Sequence, residues 1–143
     1  MFISVKNKSK VFRSLLIYVG ITALTALFGF VYEIFSHGVL SYFMYLAFLI
    51  PLGLGDLVYL AMWFFNIKFI PSTLVRSVYN TGVGILTAGF IFKGVTDIYG
   101  TSRDSMFVTY MIIGTILVVI GILLYIIGLI YYRVTKDKVD IDD

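Results

Sequence analysis

Apolar residues in this chain neither alternate nor recur as a single stripe; they run on. Four stretches, at about 11–35, 40–66, 74–98 and 106–132, are apolar on every side of a helix. A helix of a soluble bundle keeps one polar face, and these have none. A hydrocarbon core about 30 Å thick is crossed by roughly 20 apolar residues in helical conformation, and each stretch is long enough. The pattern predicts an all-α fold, a four-helix transmembrane bundle. Residues 1–143 then form a single integral membrane domain, with a short charged tail at 133–143.

Composition agrees. Hydrophobic residues make up 60% of the 143 residues and charged residues 13%, against about 45–50% and 25% in soluble domains. The first stretch follows a basic lead (Lys6, Lys8, Lys10, Arg13). It is longer than the apolar core of a signal peptide, and no small-residue cleavage motif ends it, so it reads as a retained helix. The chain has no cysteine, which excludes disulfides, Fe–S clusters and thiol nucleophiles. One histidine cannot supply a bis-His haem or a His-rich zinc site within one chain.

The basic residues sort by side. Lys6, Lys8, Lys10, Arg13, Lys68, Arg76, Arg133, Lys136 and Lys138 fall at one end of the expected bundle, and only Lys93 and Arg103 at the other. The excess of Lys and Arg marks the cytoplasmic side, so both termini are expected inside. Tyr42, Tyr131 and Tyr132 suit the interfaces. A net charge of +3 then reflects topology and anionic lipid, not nucleic acid.

The halves resemble each other. At an offset of 64, Glu33-Ile34-Phe35 aligns with Asp97-Ile98-Tyr99, Ser41 with Ser105 and Phe43 with Phe107; Leu24-Thr25-Ala26 aligns with Leu86-Thr87-Ala88 at 62. Either the chain is two repeated helical hairpins related about the membrane normal, or apolar helices match by chance. A repeat would make Glu33 and Asp97 equivalent carboxylates at the outer helix ends.

Asp56 is the residue least at home in hydrocarbon. It lies well inside the second stretch, within Pro51-Leu52-Gly53-Leu54-Gly55-Asp56. Carboxylates within spanning segments point first to ion or proton handling. Pro51 removes a backbone donor, which is expected to free the carbonyl of Ala47, while Gly53 and Gly55 tolerate unwinding. A broken helix beside a carboxylate is a familiar arrangement for ion and proton sites. The alternative is a structural aspartate bonded to Thr87, Tyr125 or another facing hydroxyl. Thr115 and Ile120 stand where Pro51 and Asp56 would repeat, so any such site is single.

A second group gathers at the outer end: Glu33, His37, Lys93, Asp97 and Arg103, with Asp104 next in sequence. Glu33 and His37 share a face if the helix continues through both. With Asp97 they offer two hard oxygens and an imidazole, a set suited to a divalent metal such as manganese, iron or zinc, or to proton transfer. The competing expectation is charge neutralisation, Glu33 with Lys93 and Lys93 with Asp97. Gly38 is placed to end the helix, which would separate His37 from that face.

Gly114, Gly121 and Gly128 recur every seven residues and mark a close-packing face, its partner either within the chain or on a second copy. Asn80 reads as interhelical glue. Gly82-Val83-Gly84 and Gly53-x-Gly55 imitate dinucleotide fingerprints but lack the preceding strand.

The run Tyr32-Glu33-Ile34-Phe35-Ser36-His37-Gly38-Val39, followed by Ser41 and Phe43-Met44, resembles a signature of small four-helix bacterial integral membrane proteins without an assigned activity. The resemblance covers under a tenth of the chain. It implies a bacterial plasma membrane and no particular chemistry.

Two functional readings stand level. One is a transport-type or ion- and proton-coupled membrane protein acting through Asp56, as a homo-oligomer or with a membrane partner. The other is a non-catalytic subunit of a larger membrane complex. A membrane enzyme or redox protein using Glu33, His37 and Asp97 ranks below both.

Overall fold

The computed structural model describes residues 2–36, 38–65, 71–101 and 104–139. Among these the chain is helical, without strands: α1 (Phe2–Ile34), α2 (Tyr42–Leu46), α3 (Leu57–Phe64), α4 (Thr73–Ile98) and α5 (Asp104–Val139). A π-helical turn, Pro51–Asp56, joins α2 to α3, so α2, this turn and α3 form one span. Four segments are long and apolar enough to cross a membrane: Ser9–Ile34, Tyr42–Phe64, Thr73–Ile98 and Asp104–Tyr132. They match the expected stretches to within a few residues.

The outer surface explains why water is the wrong solvent. Leu24, Phe30, Ile34, Ile113, Ile116, Leu123 and Ile127 are all exposed, many more large apolar groups than a soluble surface leaves open. The protein is a small membrane protein. The two end helices are longer than a hydrocarbon core is thick. At 33 and 36 residues, α1 and α5 are about 50 Å long at 1.5 Å per residue. The expected tail from 133 therefore begins as a continuation of α5 to Val139.

The spans pack antiparallel in chain order, α1 on the second span, that span on α4, and α4 on α5. Small residues set the spacing. Met44 of α2 is almost fully buried between two glycines. A Cβ at Gly29 would stand 3.0 Å from the Met44 carbonyl oxygen, and one at Gly94 2.7 Å from the Met44 Cβ. Between α4 and α5, a Cβ at Gly82 would fall 2.7 Å from the Val118 nitrogen, one at Gly114 2.7 Å from Leu86 Cγ, and one at Gly121 2.9 Å from Tyr79 Cβ. The expected stripe thus finds its partner inside the chain at Gly114 and Gly121. Gly82, which opens a run that imitates a nucleotide motif, is thus a packing position, and so is Gly89, lying against Met111 and Tyr110.

The helix ends follow local chemistry. Ser72 caps α4, its hydroxyl accepting from the Val75 N–H at 3.4 Å. At the other end the Thr101 N–H reaches the Thr96 carbonyl at 2.9 Å and the Gly100 N–H the Asp97 carbonyl at 3.2 Å. Gly100 has φ +69°, which together make a Schellman motif. α1 stops at Ile34 because Ser36 turns back, its N–H and hydroxyl both donating to the Glu33 carbonyl. Gly38, with φ +90°, completes that turn.

Within the second span the backbone changes gauge twice. Ala47 and Ile50 donate to residues three back, Met44 and Ala47, as in a 3₁₀ turn, while Leu57 donates five back to Leu52. The Ala47 carbonyl, expected to be free, therefore accepts from Ile50 at 3.3 Å.

Candidate functional site

The π turn delivers Asp56 to the interior. Its side chain is buried, 7% exposed, facing α1. Thr22 of α1 donates its hydroxyl to Asp56 Oδ2 at 2.7 Å. The other oxygen, Oδ1, is enclosed and has no hydrogen-bond partner. An enclosed carboxylate oxygen without a donor is unusual, since buried polar atoms are nearly always paired. Thr22 is the facing hydroxyl that the sequence left open. Thr87 instead donates to the Val83 carbonyl at 2.9 Å.

Gly55 makes the approach possible. It lies directly against the Tyr18 ring, and any side chain there would collide with that ring. Tyr18 stacks on Tyr59 of α3, centroids 5.4 Å apart. Both hydroxyls donate to one acceptor, Asn80 Oδ1 of α4, at 2.9 and 3.0 Å. Tyr79, one residue earlier, donates to the Leu54 carbonyl within the π turn at 2.7 Å. This bond ties the π turn to α4. One polar layer thus ties three spans together beside Asp56, and Asn80 does act as the bridge its position suggested. Pro51 is buried in the same turn, and Gly53 has open space around it.

Asn80→Leu should loosen this layer, since two tyrosine hydroxyls lose their common acceptor at once. Interhelical hydrogen bonds in membranes contribute about 0.6–2 kcal/mol each, so a loss of roughly 2 kcal/mol is expected. Tyr18→Phe should add little on top of Asn80→Leu, because both remove the same bond. Unfolding in mild detergent of the single and double variants checks this.

At the end of the bundle that holds Lys93, the expected Lys93–Asp97 pair forms, but the second partner differs. Lys93 Nζ is 2.6 Å from Asp97 Oδ1 and 2.7 Å from Asp104 Oδ1, and it stands 5.7 Å from the Phe43 ring centroid. Ser41 donates to the second Asp97 oxygen at 3.3 Å. Asp104, at the start of α5, takes the place expected of Glu33; among the described residues no cation pairs with Glu33. Phe43, Phe90 and Phe107 pack edge to face beneath this clamp. His37 and Arg103 lie outside the described residues. Because α1 ends at Ile34, no continuous helix runs from Glu33 through residue 37, and the condition for a shared face is not met. Among the described residues no three His, Asp or Glu side chains gather to hold a metal ion.

Compared with protein-family models, with curated proteins and with solved structures, the chain matches none.

Proposed function

We propose that this membrane protein takes up and releases a proton within the bilayer at Asp56, as the ion-handling element of a small transport-type protein. The observation that carries the reading is the state of the carboxylate. One oxygen is held by Thr22 and the other is enclosed without a partner. A purely structural aspartate would be expected to satisfy both oxygens, because a half-satisfied buried polar group destabilises the fold. A carboxylate that must gain and lose a proton leaves one oxygen without a fixed donor. The break at Pro51–Asp56 supports the same reading, since irregular backbone at membrane depth commonly borders an ion or proton site.

The glycine stripe does not favour the alternative of a subunit within a larger complex, because Gly114 and Gly121 are occupied by α4. Four helices are few for a solitary path across a bilayer, so the working unit is proposed to be a homo-oligomer or a complex with a membrane partner.

The test is proton uptake into liposomes carrying the purified protein and an internal pH dye, driven by a potassium diffusion potential. Wild type is expected to acidify the lumen faster than empty liposomes, and Asp56→Asn to return the rate to background while eluting and folding as wild type. Equal rates for wild type and Asp56→Asn would refute the reading.

A further inference from the structure

A separate cavity opens between α3, α4 and α5. Its volume is about 200 Å³, larger than the ~150 Å³ apolar void that accommodates a benzene ring. Val58, Met62, Val75 and Ile122 give it apolar walls, and Arg76 is the one charged residue among those lining it. The Arg76 Nε is buried and has no hydrogen-bond partner, and among the described residues no carboxylate pairs with the guanidinium. A buried, unpaired guanidinium N–H calls for an acceptor, and an oxyanion is the acceptor that guanidinium geometry suits best.

We infer that this cavity binds an anionic phospholipid, its phosphate on Arg76 and part of one acyl chain against Val58, Met62 and Ile122. Three features converge on that occupant. The walls are those of an acyl-chain pocket, and the single cation sits beside them. Arg76 belongs to the first turn of α4, its backbone N–H bonded to the Ser72 carbonyl. It therefore lies at the end of the bundle where the basic residues concentrate, close to the depth of phosphate groups. By the distribution of Lys and Arg that end is expected to face the cytoplasm, whose leaflet is rich in anionic lipid. The site does not depend on the role of Asp56. It touches the Asp56 layer only through Tyr59 and Tyr79, which line the cavity and also bond Asn80 and Leu54.

Delipidated protein in mild detergent, titrated with dioleoyl phosphatidylglycerol or dioleoyl phosphatidylcholine and read by native mass spectrometry, tests the inference. Wild type is expected to bind the first lipid at one site, at least about fivefold tighter than the second. Arg76→Gln should remove that preference, and Arg76→Lys should keep most of it. Ile122→Trp, which fills the cavity, should weaken both lipids. Equal binding of the two lipids by wild type would overturn the inference without recourse to any variant. So would a preference untouched by Arg76→Gln in protein whose helical circular dichroism is unchanged. Oleate binding to the same site as tightly as phosphatidylglycerol would overturn the choice of a phospholipid. An Ile122→Trp variant that loses a dimer while binding lipid as before would assign the face to a second copy instead.

Discussion

Replacing Asp56 with leucine is expected to make the folded protein more stable while proton uptake disappears. A buried carboxylate with one unsatisfied oxygen destabilises the state that contains it. Exchanging it for an apolar side chain removes that penalty, as apolar replacements of buried ionic groups often do. Thr22 loses its acceptor, but a threonine within a helix can donate to the carbonyl four residues back, as Thr25 already does to Ile21 at 2.8 Å. The net gain should be about 1–3 kcal/mol, seen as a higher unfolding midpoint in detergent. Opposite signs for stability and activity are the mark of a group retained for function. A structural aspartate gives the reverse, a loss of stability with uptake untouched, so one pair of measurements separates the two roles.

The second large effect is expected at Gly82. A Cβ there would meet the Val118 nitrogen at 2.7 Å and the Gly114 carbonyl oxygen at 2.9 Å. Both are backbone atoms, so no rotamer change can make room and α5 must move bodily away from α4. Gly82→Val should therefore reduce stability by about 3 kcal/mol or more, at the upper end of overpacking effects. Gly84, two residues on, has open space on the side where a Cβ would stand, with nothing within 4 Å. Gly84→Ala should be neutral or stabilising by up to about 1 kcal/mol through helix propensity. Two glycines a half-turn apart thus give opposite outcomes. The unfolding midpoints of both variants measure how much of the bundle rests on close α4–α5 approach.

How far these features were legible varies with their physical origin. The four spans were, because hydrocarbon thickness imposes a length that composition reveals directly. Asp56 stood out because charge is rare within a spanning segment, and Asn80 because an amide there needs a hydrogen-bond partner. Gly114 and Gly121 declared a close face by their spacing, though not which helix would occupy it. Tyr18, Thr22, Tyr59 and Tyr79 stayed hidden. The chain has 11 tyrosines, and which of them meet depends on how helices rotate against one another, a property of pairs of helices. One signal was present: Tyr18, Thr22 and Thr25 fall on a single stripe of an otherwise apolar helix, a polar seam that needed a partner. Of the pairs expected around Lys93, the one with Asp97, four residues on in the same helix, was legible, and the one with Glu33 was not, because it depended on how separate helices meet. The short connection from α4 to α5 places Asp104 Oδ1 2.7 Å from Lys93 Nζ instead. The kind of break at Pro51 was also beyond reach, because proline and glycine permit several departures from α geometry and tertiary packing selects among them.

That selection has a mechanical result. The turn at Ala47–Ile50 is wound more tightly than an α-helix and the turn at Pro51–Asp56 more loosely, so their errors in angle oppose each other. The buried positions show the cancellation. Met44, Ala47, Pro51, Gly55 and Tyr59 keep spacings of three and four throughout, as though the helix were unbroken. The tight and loose turns therefore offset each other closely enough to keep one side of the span buried. Relaxing the loose turn alone would leave the tight one unopposed, and α3 would screw about its own axis, carrying Tyr59 away from Asn80. A change of winding at Asp56 would in this way be felt as a rotation at the far end of the span.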